Sequence, residues 1–135
     1  MEGLCLLLKK FQTDGDITCI KISHSLEILN IFFVDDVLIM TKASLSESKA
    51  IDSLLSTFFQ ASGLLINPLK STFHFSILSK EELSSLSSLF PFKFMDLLEG
   101  FKYLGFFLKT TIYRVEDWRW LIHKYEKWIG LWCHR

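Results

Sequence analysis

The sequence predicts an α+β fold in which helices pack against a small, mostly antiparallel sheet. Three observations lead to this prediction. Hydrophobic residues make up 50% of the 135 residues, apolar side chains recur at helical spacing in several segments, and short β-rich runs separate those segments. No internal repeat is visible, so one small domain, or a piece of a larger one, is the expected unit.

The charge pattern gives no overall nucleic-acid-binding signal. The 15 basic and 15 acidic residues give a formal net charge of zero. The C-terminal segment is locally basic, and a solvated helix face is its favoured interpretation. Its basic residues are Lys109, Arg114, Arg119, Lys124, Lys127 and Arg135, and its acidic residues are Glu116, Asp117 and Glu126.

The cysteines and the N-terminus favour a soluble, intracellular protein. Cys5, Cys19 and Cys133 are far apart and form no C-x-x-C pair, which indicates reduced thiols. The apolar start MEGLCLLLKK is too short for a secretion signal, and no run approaches the ~20 apolar residues of a membrane span. We therefore expect no signal peptide, no transmembrane segment and no membrane partner.

The first predicted elements are a helix over 2–11 and a short strand over 17–23, separated by turn residues at 13–16. The apolar face of the helix comprises Leu4, Leu7, Leu8 and Phe11.

Residues 28–41 predict a β-hairpin. Two β-rich runs, ILNIFFV and VLIMT, are separated by Asp35 and Asp36, which we expect to form the tight turn. The turn lacks the glycine that a common type I′ hairpin favours. Something other than turn propensity could therefore have selected these residues.

Two capped helices follow. Ser44 and Glu47 fit a capping box, and Gly63 fits a C-terminal stop. One face of this helix comprises Leu45, Ile51, Leu54, Leu55, Phe58 and Phe59. A second helix is predicted from the cap residues Ser79 and Glu82 up to Phe90, before Pro91.

Further strands are predicted at 64–68 and 71–78, and residues 101–109 predict a strand pair or a bent strand around Gly105. In 71–78 the side chains of Phe73, Phe75 and Ile77 are expected to point inward. The last helix, at 115–132, has an aromatic stripe that favours core packing or a packing seam over a base-stacking platform. The stripe comprises Trp118, Leu121, Ile122, Tyr125, Trp128, Ile129 and Trp132.

Two adjacent carboxylates at the tip of a hairpin repel each other unless a cation joins them. Magnesium suits hard oxygen ligands, although substrate phosphates, water and another carboxylate usually complete its octahedron. Such a site is typical of two-metal phosphoryl transfer. A plain surface turn is the alternative explanation of an Asp-Asp pair.

The segment FFVDDVLIM (32–40) resembles the F/Y-x-D-D hairpin of reverse transcriptases, which carries the catalytic aspartates of the palm. The elements after it occur in the order found in the reverse transcriptase of plant non-LTR (LINE-type) retrotransposons. They are a helix, SGLLINPLKS (62–71), FKYLGFFL (101–108) and the Trp-rich segment 115–135 that opens the thumb. Residues 2–23 also resemble the helix and strand before the hairpin, so the resemblance covers nearly the whole chain.

The resemblance implies roles for particular residues. Asp35 would be the principal magnesium ligand, with Asp36 as its neighbour in the metal site. Lys70 would lie near the leaving pyrophosphate, and a solvated lysine is the alternative. Asn67 would shape the turn before it. The primer-grip strand would be Tyr103, Leu104 and Gly105, although turn chemistry alone also explains Asn67 and Gly105.

The resemblance also implies a partial polymerase, with part of a palm in residues 1–110 and the start of the thumb in 111–135. The intact parent would be an RNA-directed DNA polymerase that uses Mg²⁺, an RNA template, a DNA primer and dNTPs. The first catalytic aspartate and the fingers of the family lie upstream of any match here, so we expect no catalysis by this chain alone and some tendency to self-associate. A non-catalytic remnant that binds nucleic acid or protein, and a translated relic, remain the alternatives.

Overall fold

The structure, a computed structural model, describes residues 2–42 and 44–133, and only the backbone of Cys133. Met1 and Arg135, which entered the predictions above, lie outside the described residues. The chain divides into two compact units, Met1–Met95 and Asp96–Arg135. The predicted division at residue 110 refers to parts of a parent polymerase and stays a prediction.

The described residues form an α+β fold of four helices and eight short strands. The elements are α1 (Glu2–Asp14), β1 (Ile20–Lys21), β2 (Glu27–Ile28), β3 (Asn30–Phe33), β4 (Asp36–Ile39), α2 (Leu45–Ser62), β5 (Thr72–Phe75), α3 (Lys80–Leu89), β6 (Lys93–Asp96), a 3₁₀ turn (Leu97–Glu99), β7 (Phe101–Tyr103), β8 (Phe106–Leu108) and α4 (Val115–Cys133).

The strands pair as four separate two-stranded sheets, β1–β2, β3–β4, β5–β6 and β7–β8, so the expectation of one small sheet is wrong for the described residues. The β1–β2, β3–β4 and β7–β8 pairs are antiparallel. Isolated two-stranded ladders are marginal in water. Each ladder therefore depends on the helices and loops that pack against it.

The core of the first unit lies between α1 and α2. Its buried side chains are Leu4, Leu8, Ile17, Leu29, Leu54 and Phe58. Leu4 and Leu8 lie one helical turn apart, as do Leu54 and Phe58, so each helix presents one apolar stripe to the other. The predicted helical faces of both helices are thus confirmed at their centres.

The caps of α2 are only partly those predicted. The Ser44 hydroxyl accepts a hydrogen bond from the Glu47 N–H at 3.3 Å, and Gly63, at φ 70°, ends the helix. The Glu47 carboxylate does not return to Ser44, however. It accepts from the N–H and the hydroxyl of Thr18, at 3.2 and 2.8 Å. Helix α3, by contrast, has the complete capping box of Ser79 and Glu82.

A second apolar cluster lies under α3, where contacts between phenylalanine rings, most of them stacked, join β5 and β6 to the end of the helix. Its rings are Phe73, Phe75, Phe90, Phe92 and Phe94. The prediction for Ile77 is wrong: its side chain is 96% exposed and its φ is 55°. The chain has already left the strand at this residue and turns toward α3.

The predicted strand at 64–68 is absent from the structure. Residues 61–70 are all exposed, and 63–67 form an irregular loop before a turn at 68–70. The apolar run matches a strand in composition, but no neighbouring strand pairs with it. Strand β6, by contrast, is present although no strand was predicted at these residues.

The second unit consists of the β7–β8 hairpin and α4. The Trp120 ring packs edge-on against Phe106, with ring centroids 5.6 Å apart. The Lys109 ammonium lies 2.6 Å from the Asp117 carboxylate at the start of the helix. Of the two alternatives predicted for 101–109, the structure has the strand pair and not the bent strand, and the predicted helix is confirmed, while most of the aromatic stripe is exposed. Within the described part of the chain, no helix has the length and apolar character needed to cross a bilayer.

Candidate metal site at the β3–β4 hairpin

The acidic hairpin is present, and its turn lies one residue earlier than predicted. Phe33 pairs with Asp36, so Val34 and Asp35 are the two central residues and Asp36 begins β4. The expectation that Asp35 and Asp36 together form the turn is therefore wrong by one position. Both aspartates nevertheless lie at the exposed tip of the hairpin.

The backbone of this turn is strained. Val34 has a φ of 52°, a conformation that β-branched residues rarely adopt and that glycine favours. A positive φ at the first central residue is the pattern of a type II′ turn, for which glycine is preferred there. A valine in this conformation costs about 1–3 kcal/mol. The turn is thus not explained by local propensity.

The core holds the hairpin on one face only. Phe32 and Ile39 pack against the α1–α2 core. Side chains alternate along a strand, so the register places Asp36 on the opposite face, with Ile31 and Phe33. Phe33 is 57% exposed there. An exposed carboxylate is therefore flanked by exposed apolar side chains on a surface that the core does not use.

The carboxylates of Asp35 and Asp36 are not paired with a cation from the described residues. Within 2–42 and 44–133, no ion pair involves Asp35 or Asp36. The same ranges contain no cluster of three or more Asp, Glu, His or Cys side chains that could hold a metal ion. The aspartates fit magnesium in donor chemistry, since both offer hard oxygens. The remaining ligands would have to come from phosphates, water or another polypeptide segment.

Asn67 and Lys70 lie in one tight turn of the exposed loop. The Lys70 N–H donates to the Asn67 carbonyl oxygen at 3.1 Å, and the Asn67 side-chain oxygen accepts from the Leu69 N–H at 3.1 Å. Pro68 occupies the second position, where its fixed φ suits the turn. Asn67 thus stabilises the turn through its own side chain, and Lys70 is left exposed.

Tyr103, Leu104 and Gly105 lie at the tip of the β7–β8 hairpin. Leu104 and Gly105 are its central residues, with φ values of 51° and 85°. Two positive values are the pattern of a type I′ turn, and Gly105 adopts its conformation without strain. These residues belong to the second compact unit, whereas Asp35, Asp36, Asn67 and Lys70 belong to the first.

The structure therefore brings the predicted residues together in three local groups. Asp35 and Asp36 share one turn, Asn67 and Lys70 share another, and residues 103–105 form the third. Among the described residues, no ion pair joins Lys70 to either aspartate.

Sequence reasoning also missed a polar contact of Cys19 and another at the start of α4. The Cys19 thiol donates to the Glu27 carboxylate at 3.0 Å, across the β1–β2 hairpin. This hydrogen bond raises the pKa of Cys19 and lowers that of Glu27. A raised pKa favours the thiol over the thiolate, which is the nucleophilic form.

The second contact lies at the start of α4. The Asp117 carboxylate accepts from the Arg114 backbone N–H at 2.7 Å and pairs with Lys109. Arg119 also lies within 3.8 Å of Glu116. The excess of basic charge that the sequence shows in this segment is therefore partly neutralised by neighbouring acids, which weakens it as a phosphate-binding surface.

Comparisons with protein-family models, with curated proteins and with solved structures gave no match to this chain.

Proposed function

We propose that this chain carries the later part of the palm of an RNA-directed DNA polymerase of the plant non-LTR retrotransposon type, together with the start of the thumb. The observation that carries the proposal is the β3–β4 hairpin, whose exposed tip carries Asp35 in the turn and Asp36 at the start of β4. The motif resemblance requires such a hairpin. The strain at Val34 supports a functional origin of the turn, because propensity does not explain it.

In this proposal Asp35 and Asp36 supply oxygen ligands for Mg²⁺, which would stabilise the charge of the reacting phosphates. Lys70 contributes a cation near the leaving pyrophosphate, and residues 103–105 position the primer end. An RNA template, a DNA primer and a dNTP are the partners of the intact enzyme. Nucleotidyl transfer depends mainly on positioning and electrostatics. Because the described residues bring no third carboxylate to the pair, we expect no nucleotide incorporation by this chain alone.

Paramagnetic broadening by Mn²⁺ tests the metal site directly. We expect Mn²⁺ to broaden the backbone amide NMR signals of residues 33–37 first, and more strongly when a dNTP is present. The double substitution Asp35→Asn with Asp36→Asn should abolish this broadening. Asp14→Asn with Asp16→Asn is a matched control, because both acids are exposed near the turn after α1. Equal broadening at the two acidic pairs would show only non-specific attraction and would contradict the proposal.

Reconstitution tests the enzyme activity. Joining the upstream palm and fingers of a non-LTR reverse transcriptase to this chain should give Mg²⁺-dependent incorporation on an RNA template, and Asp35→Asn should abolish it. If a folded fusion binds template and primer but its activity does not depend on Asp35, the hairpin is not the catalytic one. For the nucleic-acid-binding alternative, binding measured against salt concentration would have to show a clear negative slope.

A further inference from the structure

Helix α4 has an exposed apolar seam with a strict heptad spacing. Its residues follow one another at alternating intervals of three and four, and we call them the α4 seam. The a positions are all β-branched: Val115, Ile122 and Ile129. The d positions are all aromatic: Trp118, Tyr125 and Trp132. All six are exposed, from 38% at Trp118 to 80% at Trp132. An a/d spacing of apolar side chains is the pattern by which one helix packs against another.

The second unit packs its own residues on the other side of α4. Trp120, which contacts Phe106, occupies an f position, opposite the centre of the seam. Asp117, which pairs with Lys109, lies on the same side. Of the seam residues, Trp118 contacts a ring of its own unit, that of Tyr113 at 5.4 Å, which explains its low exposure within the set. The β7–β8 hairpin thus orients α4 and leaves the seam accessible.

We infer that the α4 seam binds the α4 seam of a second copy of this chain, with the two helices antiparallel. This inference stands apart from the proposed polymerase function. In an antiparallel pair an a residue of one helix faces a d residue of the other. One register aligns all six positions: Val115 with the partner's Trp132, Trp118 with the partner's Ile129, and Ile122 with the partner's Tyr125. The other three layers repeat these contacts by symmetry, as a two-fold interface requires.

Side-chain volume favours this orientation. Every antiparallel layer contains one β-branched and one aromatic side chain, so the layers are similar in size and the helices stay evenly spaced. A parallel pair would place Trp118 against the partner's Trp118 and Val115 against the partner's Val115. Wide and narrow layers would then alternate, which leaves voids that close packing does not tolerate.

Charge favours the same orientation. Antiparallel helices bring e positions beside e positions and g positions beside g positions. Arg119 then lies next to the partner's Glu126 on one flank of the seam, and Leu121 next to the partner's Trp128 on the other. In a parallel pair, Arg119 would instead lie beside the partner's Arg114. The present intrahelical partners of Arg119 and Glu126 are exposed and 3.8 and 3.9 Å away, so exchanging them costs little.

Sedimentation equilibrium of the full chain, from about 1 to 100 µM, tests the association. We expect a reversible monomer–dimer equilibrium. Ile122→Glu places a charge in the centre of the seam and should raise the dissociation constant at least about 10-fold. Lys124→Glu adds the same acidic side chain at a c position, outside the seam and away from Arg119 and Glu126, and should change it less than about twofold. A wild-type chain that stays monomeric, or an association that survives Ile122→Glu, would overturn the inference.

Charge reversal tests the orientation and does not depend on the folding of Ile122→Glu. Arg119→Glu alone should weaken the dimer about 5- to 10-fold, because it makes both e–e pairs repulsive. Adding Glu126→Arg should restore the wild-type dissociation constant. Tighter association of Arg119→Glu would indicate the parallel pair and overturn the inference. Circular dichroism at 222 nm verifies that each variant keeps its helices.

Other occupants of the seam give different results. A chain that stays monomeric but floats with phosphatidylserine vesicles would identify the seam as a lipid-facing surface. A monomeric chain that binds single-stranded RNA, with loss of binding in Trp132→Ala, would identify a base-stacking surface. Either result would overturn the inference that the α4 seam binds a second copy of this chain.

Discussion

Helices α2 and α4 have nearly the same length, 18 and 19 residues, and both have an apolar stripe at helical spacing. Their surroundings differ. On α2, Leu54 and Phe58 are 0% and 8% exposed, because α1 covers them. On α4, Trp128 and Ile129 are 59% and 61% exposed. The same local pattern therefore forms a helix in both units, but only the first unit contains the partner that the pattern requires.

The two hairpins β3–β4 and β7–β8 differ in the residues of their turns. Each has a two-residue loop whose first residue, Val34 or Leu104, has a positive φ. In β7–β8 the next residue is Gly105, which adopts its positive φ without strain, although Leu104 has the same unfavourable φ as Val34. In β3–β4 the next residue is Asp35. Both turns thus hold a bulky residue at a positive φ, and the glycine relieves the strain at one position of the β7–β8 turn only.

The largest expected effect distinguishes the two helices. Leu54→Ala should lower the free energy of unfolding of the first unit by about 2–5 kcal/mol, because it leaves a cavity in the core. Ile129→Ala should change that of the second unit by less than about 0.5 kcal/mol at concentrations where the chain is monomeric. Urea unfolding followed at 222 nm measures the first change. Tryptophan fluorescence measures the second, since all four tryptophans lie in α4. If Leu54→Ala and Ile129→Ala lowered the free energy of unfolding equally, the difference between the two helices would be contradicted.

A smaller effect should distinguish two glycines of the β7–β8 region. A Cβ at Gly100 would lie 2.6 Å from Phe107 Cζ and 2.8 Å from the Leu108 carbonyl oxygen, at a φ of 71°. We expect Gly100→Ala to cost about 2–4 kcal/mol through overpacking and strain. At Gly105 a Cβ meets nothing within 4 Å, so Gly105→Ala should cost only about 1 kcal/mol of strain. Fluorescence-detected urea unfolding compares the stability of the two variants. If Gly105→Ala were the more destabilised, steric contact of the added Cβ would not determine the loss of stability.

The contact between Glu47 and Thr18 should contribute less than the core. Glu47→Ala removes an 8%-exposed acceptor from two donors of Thr18, and the expected loss is about 1–3 kcal/mol. Glu47→Gln keeps one acceptor oxygen and should lose about 1 kcal/mol. The measurement is urea unfolding at 222 nm at pH 7. If the two variants are equally destabilised, packing of the side chain accounts for its role and the hydrogen bonds do not.

The smallest expected effect is a pH dependence of the second unit. The pKa of Asp117 is lowered, first by the hydrogen bond from the Arg114 N–H and then by Lys109. The fold therefore favours the charged carboxylate. Its contribution is complete above the unfolded-state pKa of about 3.9, and it is lost as the pH falls through the lower folded-state pKa. The fluorescence-detected urea midpoint should fall with pH in that window, and Asp117→Asn should reduce the fall. Identical pH profiles for the two chains would contradict this assignment.

Local patterns were sufficient to predict the four helices and the acidic hairpin, and they left a strand pair and a bent strand as alternatives at 101–109. Apolar spacing, the cap residues Ser79 and Glu82, and the stop at Gly63 are all properties of neighbouring residues, and the structure contains each of them. The acidic tip was predicted within one residue, because Asp35 and Asp36 interrupt two β-rich runs.

Contacts between distant segments could not be predicted in the same way. Glu47 looked like the second half of a capping box, but its carboxylate binds Thr18, 29 residues away. The run at 64–68 looked like a strand, but a strand exists only with a partner, and none pairs with it. The apolar stripes of α2 and α4 have the same spacing, so spacing alone does not distinguish the covered stripe of α2 from the exposed stripe of α4.

The short loop of the β3–β4 hairpin has an evolutionary consequence. Its two residues fix Phe33 opposite Asp36, and side chains alternate along β4. Gain or loss of a single codon at positions 34–36 would shift the pairing by one residue and turn Asp36 toward the core, beside Phe32. A similar change at 64–66, in the exposed loop after α2, would be absorbed by the loop. Genomic copies with indels at 64–66 but none at 34–36 would therefore bear the signature of purifying selection on the acidic pair.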